Sequence, residues 1–177
     1  LIENTHDKRD DIDNKLNIQF QKYKTWIAAS THTNEEVFCA KAHINLKKKN
    51  KKLITIIIPR HIHRVQDIIS KIKNLNLKVA THSSKVKTLK DIDIYIVDTF
   101  GDSNKFFKIS NTVLMGKFLV SKGSQNPLEA ARYGAKILHG PNIDNFKDVF
   151  KLLESLKISK KITSIRQLIT AITFKKD

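Results

Sequence analysis

"KLITIIIP", residues 52–59, is the stretch on which the fold turns. Leu53, Ile54, Ile56, Ile57 and Ile58 follow one another with no polar alternation, which predicts a strand covered on both faces. Pro59 has no amide with which to continue a ladder and stops it. The period then changes. In "RVQDIISKIKNLN" (64–76), Val65, Ile68, Ile69 and Ile72 stand at i, i+3, i+4 and i+7, one face of a helix. A doubly covered strand followed by a one-sided helix is the building block of a parallel α/β sheet.

Outward from this block the alternation continues in both directions. Upstream, "TWIAAS" (25–30) reads as a strand and "NEEVFCAKAHINLKKKN" (34–50) as a helix, with Glu35 and Glu36 in the first turn and lysines in the last, as the helix dipole favours. Downstream, strands are predicted at "LKVATHS" (77–83), "DIYIVDT" (93–99), "NTVLMG" (111–116) and "AKILHG" (135–140). Helices are predicted at "DSNKFFKIS" (102–110), "NPLEAARYG" (126–134), "DNFKDVFKLLESLK" (144–157) and "SIRQLITAITFKK" (164–176). The pattern predicts an α/β, Rossmann-like parallel sheet with helices on both faces. Residues 1–24 are polar and poorly periodic; they read as a linker or the end of a preceding domain, and residues 25–177 as one Rossmann-like domain. Leu1 in place of Met fits a fragment of a longer chain or a processed one.

The 177 residues and 40% apolar content suit one domain with a full core. No apolar run is long enough to span a membrane, and "LIENTHDKRDDID" has none of the character of a secretory signal. The lone Cys39 reads as a small buried hydrophobe and excludes an internal disulfide. The net charge of +16 comes from 28 Lys and 5 Arg against 17 acidic residues. Three readings compete for it: a lysine-biased solvated surface, attraction to an anionic lipid surface, and nucleic acid. Scarce arginine and aromatics not interleaved with the lysines argue against nucleic acid.

In parallel α/β folds ligands bind beyond the carboxyl ends of the strands, which selects the loops to read. In "GKFLVSKGSQNPLE" (116–129), Gly116 and Gly123 permit close approach or positive φ. Asn126, Pro127 and Glu129 have the spacing of a capping box. The same geometry offers amides to a phosphate and a carboxylate to ribose hydroxyls, with Lys122 adding charge. Arg60 and His61 follow the 52–59 strand directly, placed either to clamp a phosphate or to form a solvated basic loop. His61 and His63 form H-x-H, but no further ligand accompanies them, so no metal is assigned. Ser30, Thr31 and His32 stand at the first strand–helix junction, where Thr33 or Asn34 before the glutamates also reads as capping. Gly101 and Asp102 stand at another junction, and Asp98 and Asp102 are given no acid–base role. No G-x-G-x-x-G, P-loop or G-x-S-x-G motif occurs. Several phosphate-competent loops without a self-contained catalytic centre favour the donor-binding half of a two-domain enzyme.

These loops resemble the Kdo (3-deoxy-D-manno-octulosonic acid) transferases of lipopolysaccharide synthesis, in their C-terminal half. "WIAASTHTNEE" is similar to the family's W-x-A-A-S-T-H-x-G-E-E, and "IIIPRHIHR" to its V-P-R-H-P-E-R. "VDTFGDSNKFF" is similar to D-T-M-G-E-L-x-x-x-Y, and "GSQNPLEAARYGAKILHGPNIDNF" to G-G-H-N-P-L-E-x-A-x-x-G-x-P-V-x-x-G-P-x-x-x-N-F. The blocks run in order over residues 26–146.

The resemblance implies the C-terminal half of a GT-B glycosyltransferase, moving Kdo with inversion from CMP-Kdo to a lipid A precursor at the cytoplasmic face of the bacterial inner membrane. It implies no cofactor beyond the CMP-Kdo donor. Arg60, Gly101, Asn126 and Glu129 would contact CMP, and Ser30, Thr31, His32 and His61 would lie near the donor. The catalytic carboxylate and most of the acceptor site belong to an N-terminal half that these residues do not include, so no catalytic residue is assigned here and the chain alone is expected to transfer nothing. The implied partners are CMP-Kdo, the lipid A precursor, the N-terminal domain and an anionic membrane surface, with no nucleic acid. Alternatives are a non-catalytic basic module that binds anionic lipid or nucleic acid, and another GT-B nucleotide-sugar enzyme. Asp102, Lys117, Phe118 and Gln125 depart from the pattern, and Lys117 and Phe118 are expected to reshape the donor loop.

Overall fold

The computed structural model describes residues 11–119 and 123–175. Seven strands, β1 (Lys24–Thr31), β2 (Leu53–Pro59), β3 (Val79–Thr81), β4 (Ile94–Ile96), β5 (Thr112–Met115), β6 (Lys136–His139) and β7 (Ser159–Lys161), form one sheet in the order β3-β4-β2-β1-β5-β6-β7. All six pairings are parallel. The helices are α1 (Asn14–Phe20), α2 (Glu35–Lys47), α3 (Val65–Lys73), α4 (Ser103–Phe107), α5 (Leu128–Arg132), α6 (Lys147–Ser155) and α7 (Ile165–Ala171).

The sheet divides the core in two. On one face Trp26, Ala28, Leu53 and Ile57 pack with Cys39, Leu46, Ile68, Ile72 and Leu168, which brings in α2, α3 and α7. On the other, Ile27, Ala29, Ile54, Ile56 and Ile58 pack with Phe20, Phe106, Ala130 and Phe150 from α1, α4, α5 and α6. Every residue of β2 is buried, as the unbroken run at 53–58 predicts. Each such Ile contributes roughly 2 kcal/mol of gross burial. Helices on both faces are therefore a consequence of strands apolar on both sides.

Two elements lie outside the expectation. Within the segment read as a linker, Asp13 caps α1 by accepting from the amides of Lys15 and Leu16. The helix sets Phe20 edge-on to Tyr95 and Phe106, with ring centroids 5.1 and 6.2 Å apart. The seventh strand, β7, has the sequence Ser-Lys-Lys with both lysines exposed, so only an edge position accommodates it.

The chain builds β2, β3 and β4 on one side of β1, then crosses to build β5, β6 and β7 on the other. The order reverses between β1 and β5. In an open parallel sheet this is where a crevice opens beyond the carboxyl ends of the strands.

Candidate functional site

The floor of that crevice is built from backbone. The β1–β2 register slips between Ala29 and Thr31, and Ser30 is the extra residue, with φ +54°. A bulge in the left-handed region costs about 1 kcal/mol and bends the strand end outward. The carbonyl of Ser30 then lies so close to β5 that a Cβ on Gly116 would sit 1.8 Å from its oxygen. Glycine at 116 is required for close approach, and its amide donates to the Ala29 carbonyl at 2.7 Å.

The two glutamates after the first strand are not solvated dipole charges. Glu35 is fully buried and accepts from the amides of His32 (2.8 Å), Lys117 (3.1 Å) and Leu119 (3.1 Å). It therefore ties the loop after β1 to the loop after β5. Burial pushes its carboxyl above the ordinary value, and the three amides pull the other way. Glu36 is buried as well and takes a bidentate pair from Arg64 at 3.0 and 3.1 Å. The hydroxyl of Thr31 donates to the same carboxylate at 2.8 Å. The Thr31 side chain is wholly buried and spent on Glu36. Neither threonine nor asparagine caps α2, and Asn34 turns the chain at φ +69° without a side-chain bond.

Above this floor the charges lack partners. The Arg60 amide donates to the Thr31 carbonyl at 3.0 Å, while its exposed guanidinium has no hydrogen-bond or ion-pair partner among the described residues. The rings of His32 and His61 stand edge-to-face at 5.9 Å, and those of His61 and His63 lie 5.7 Å apart. Burial, then the charges of Lys117, His61, Arg64 and Arg60, hold His32 below its ordinary pKa. The same positive charges attract an anion. Gln125 Nε2 lies 3.0 Å from His32 Nε2, so the amide donates and the neutral ring carries its proton on Nδ1. Among the described residues no group of three His, Cys, Asp or Glu has metal-holding geometry.

The loop before α5 is also pinned. Gly123 takes φ +80°, and Asn145 clamps Ser124 from both sides, accepting from its amide at 2.7 Å and donating to its carbonyl at 2.8 Å. The expected capping box closes by half. Asn126 Oδ1 accepts from the Leu128 amide at 3.0 Å, and the helix begins at Leu128, one residue later than the spacing predicts. Glu129 is exposed, and its carboxylate bonds to nothing among the described residues. The alternatives of cap and site separate: Asn126 starts the helix, and Glu129 stays available. Lys122 lies outside the described residues. Phe118, expected to reshape the donor loop, turns inward against Phe38 with ring centroids 5.0 Å apart, and Lys117 bends the chain at φ +65°.

Gly101 lies in the turn between β4 and α4, with φ +75°. Its neighbour Asp102 accepts from the Thr99 hydroxyl and pairs with Lys105 at 2.7 Å. Burial raises the Asp102 pKa, but the bonds from Lys105 and Thr99 outweigh it and hold the group below the ordinary value. Asp98 accepts from the amide and hydroxyl of Ser83. Both carboxylates are spent on the backbone shape of this edge. A cavity of about 860 Å³ lies beside it under α1, lined by Ile12, Leu16, His82, Tyr95 and Thr99 among others.

Of the predicted residues, then, Ser30, His32, Arg60 and His61 converge at the ends of β1 and β2. Gly101 stands one strand further, at β4, and Asn126 and Glu129 stand across the crevice at α5. Gln125, Asn145, Glu35 and Glu36 complete the frame. Gln125 appeared in the sequence only as a departure from a motif, and the roles of the other three depend on burial.

A seven-stranded, all-parallel sheet with helices on both faces is a Rossmann-like domain. The structure matches the C-terminal CMP-Kdo binding domain of WaaA from Acinetobacter baumannii with a TM-score of 0.80 at 22% identity, over 85% of this chain and 79% of that one. The chain is homologous to proteins named 3-deoxy-D-manno-octulosonic acid transferase. That from Rickettsia conorii is 30% identical over 160 residues, 90% of this chain and 34% of the relative. That from Haemophilus influenzae is 28% identical over 142 residues, 80% of this chain and 33% of the relative. A bifunctional glycosyltransferase/methyltransferase from Fusobacterium nucleatum is 30% identical over 84% of the chain and 23% of its own length. The chain spans about a third of the length of the Kdo transferases it matches. No protein-family model matches it.

Proposed function

We propose that this chain is the donor-binding domain of a Kdo transferase and holds CMP-Kdo at the carboxyl edge of its sheet. One observation carries the reading. The four sequence blocks that resemble Kdo transferases, scattered over residues 26–146, fold onto the carboxyl ends of β1, β2, β4, β5 and β6, along one edge of the sheet. In this reading Arg60 and the start of α5 hold the phosphate of CMP, Glu129 accepts from the ribose hydroxyls, Gly101 lets the nucleotide approach the β4 loop, and Ser30, His32 and His61 border the sugar.

As the bond from phosphate to sugar breaks, negative charge grows on the departing CMP. Arg60 and the basic residues around His32 stabilise that charge. The acceptor hydroxyl of a lipid A precursor is activated by a general base outside these 177 residues. The reaction takes place at the cytoplasmic face of the inner membrane, where exposed lysines such as those at 48, 49, 51 and 52 meet anionic lipid. Among the described residues no helix is long and apolar enough to cross a membrane.

Titrating CMP into the chain while following backbone amide resonances tests the reading. Shifts are expected at Arg60, Gly101, Asn126 and Glu129, with CMP preferred over UDP. An unchanged spectrum at millimolar CMP, or binding that only tracks ionic strength, overturns it.

A further inference from the structure

Gln125 departs from the family motif, and the fold gives it the contact that joins the two walls of the crevice. Its Nε2 lies 3.0 Å from Nε2 of His32, 93 residues away. Each partner stands on a fixed base. The His32 amide donates to Glu35 at 2.8 Å, and the carbonyl of Thr31 just before it accepts from the Arg60 amide at 3.0 Å. On the other wall Asn145 clamps Ser124 from both sides, and Asn126 accepts from the Leu128 amide as α5 begins. His32 and Gln125 are therefore direct neighbours of the two elements that hold the phosphate in the reading above. The charged groups acting on the ring are Lys117 from the loop after β5, and Arg60, His61 and Arg64 from beyond β2, with the His63 ring against that of His61. The nearby carboxylates are both engaged, Glu35 by three amides and Glu36 by Arg64 and Thr31. Burial first, and then the positive groups, keep the imidazole uncharged, so its Nε2 is a bare acceptor for the Gln125 amide.

We propose that Gln125 is a positioning residue that couples donor binding to the uptake of one proton by His32. The inference rests on the donor-binding reading and adds to it a proton that arrives with the ligand. An imidazolium carries a hydrogen on both nitrogens and accepts nothing, so the present bond belongs to the neutral ring alone. The terminal amide of Gln125 has two ends of nearly equal size. A half-turn about its last bond replaces the NH2 donor with the Oε1 acceptor. The contact then runs from His32 Nε2–H to Gln125, and neither wall has to move. The pair thus has two states of one shape and opposite polarity, and the charge in the crevice selects between them. The side chains alone supply positive charge, and the neutral state holds. A phosphate between Arg60 and the start of α5 brings negative charge beside the ring. Opposite charge within about 4–6 Å raises a titration by about 1 to 3 pH units. The proton comes from the solvent and stays on the ring while the ligand is bound. An aliphatic side chain at 125 supports neither state. Histidine, which stands there in the family pattern, donates or accepts as glutamine does.

Nitrogen-15 spectra of the histidine rings test this on the wild-type chain. Alone, His32 should show a protonated Nδ1 and a bare Nε2. Above about pH 7, where the CMP phosphate is already doubly ionised, saturating CMP should put a hydrogen on both nitrogens. Cytidine, which lacks the phosphate, should leave Nε2 bare. CMP affinity should fall by up to about tenfold per pH unit between about pH 7 and 8, the slope of one coupled proton, and His32→Gln should flatten that slope. Gln125→Met should weaken CMP about fivefold, the loss of one net hydrogen bond, and Gln125→His should restore both the affinity and the slope. A residue that only braces the fold would leave the pH slope alone. A His32 ring that stays neutral in the CMP complex, or a slope that survives His32→Gln, overturns the inference while leaving the donor-binding reading intact. Failure of the wild-type chain to bind CMP at all overturns both.

Discussion

The two edges of the sheet are both rich in charge, and they use it in opposite ways. At the amino edge Asp93 accepts from the Lys47 ammonium and from the Lys78 amide at 2.9 Å. His43, fully buried, bonds to the Thr55 hydroxyl at 2.8 Å and has Nε2 3.5 Å from Asp93. That cluster is paired internally, with His43 Nε2 left without a hydrogen bond. At the carboxyl edge two arginines four residues apart divide the roles. Arg64 is locked to Glu36, and Arg60 is exposed without a partner. The contrast teaches that charge type says little about role. A satisfied group holds the fold together, and an unsatisfied one on a frame of satisfied groups is where a ligand gains most.

The largest expected effect comes from opening the frame itself. Glu36→Ala strands Arg64 and the Thr31 hydroxyl, and should cost about 4 kcal/mol in urea unfolding, the range for breaking a buried pair from one side. Gly116→Ala drives a Cβ into the Ser30 carbonyl and should cost about 3 kcal/mol by the same measurement. A loss under about 1 kcal/mol in either variant would remove the distinction between frame and site.

Acid should weaken the amino edge next. Burial holds His43 down at about pKa 4, partly offset by Asp93, so the fold keeps it neutral while the unfolded chain protonates near 6.5. The unfolded state then binds more protons between those values, and stability falls as pH drops from about 6.5 toward 4. The loss is about 2 to 3 kcal/mol by linkage. His32, His82 and His139, each lowered first by burial, add in the same direction. Unfolding at several pH values, with His43→Gln flattening the slope, checks this.

At the carboxyl edge the effect should move from stability to binding. Arg60→Ala is expected to weaken CMP about tenfold, roughly 1.4 kcal/mol, and to leave unfolding within about 0.5 kcal/mol of the wild type. A larger stability loss would place Arg60 with Arg64 and break the comparison. The smallest effect is expected from neutralising Lys48, Lys49 and Lys51. They lie at the far edge, beyond a screening length of about 8 Å at physiological salt, and CMP affinity measured there should not change.

Legibility in the sequence followed burial. β2 and α3 were readable because a residue's chemistry predicts its burial when neighbours repeat with period one or 3.6. α1 was not, because Phe20 is its only buried residue, and β7 was not, because two of its three residues are exposed lysines on an edge. The candidate site divided the same way. Arg60, His61 and Gly101 could be nominated from their position after strands, and the spacing of Asn126 and Glu129 announced a cap. That Glu129 is left out of the cap, and that Thr31 is turned inward, are facts of packing.

By itself, the sequence determined the alternating α/β order, the doubly covered strands and the residues that follow each strand end, because these depend on local period and local turn chemistry. Only the tertiary structure decided which charges are spent. Glu35 reaches amides 82 and 84 residues away, Gln125 meets His32 across 93 residues, and Phe100 stays exposed because no described residue folds over it. Hydrogen bonding and desolvation are set by what arrives from elsewhere in the chain, and a one-dimensional pattern does not carry that information.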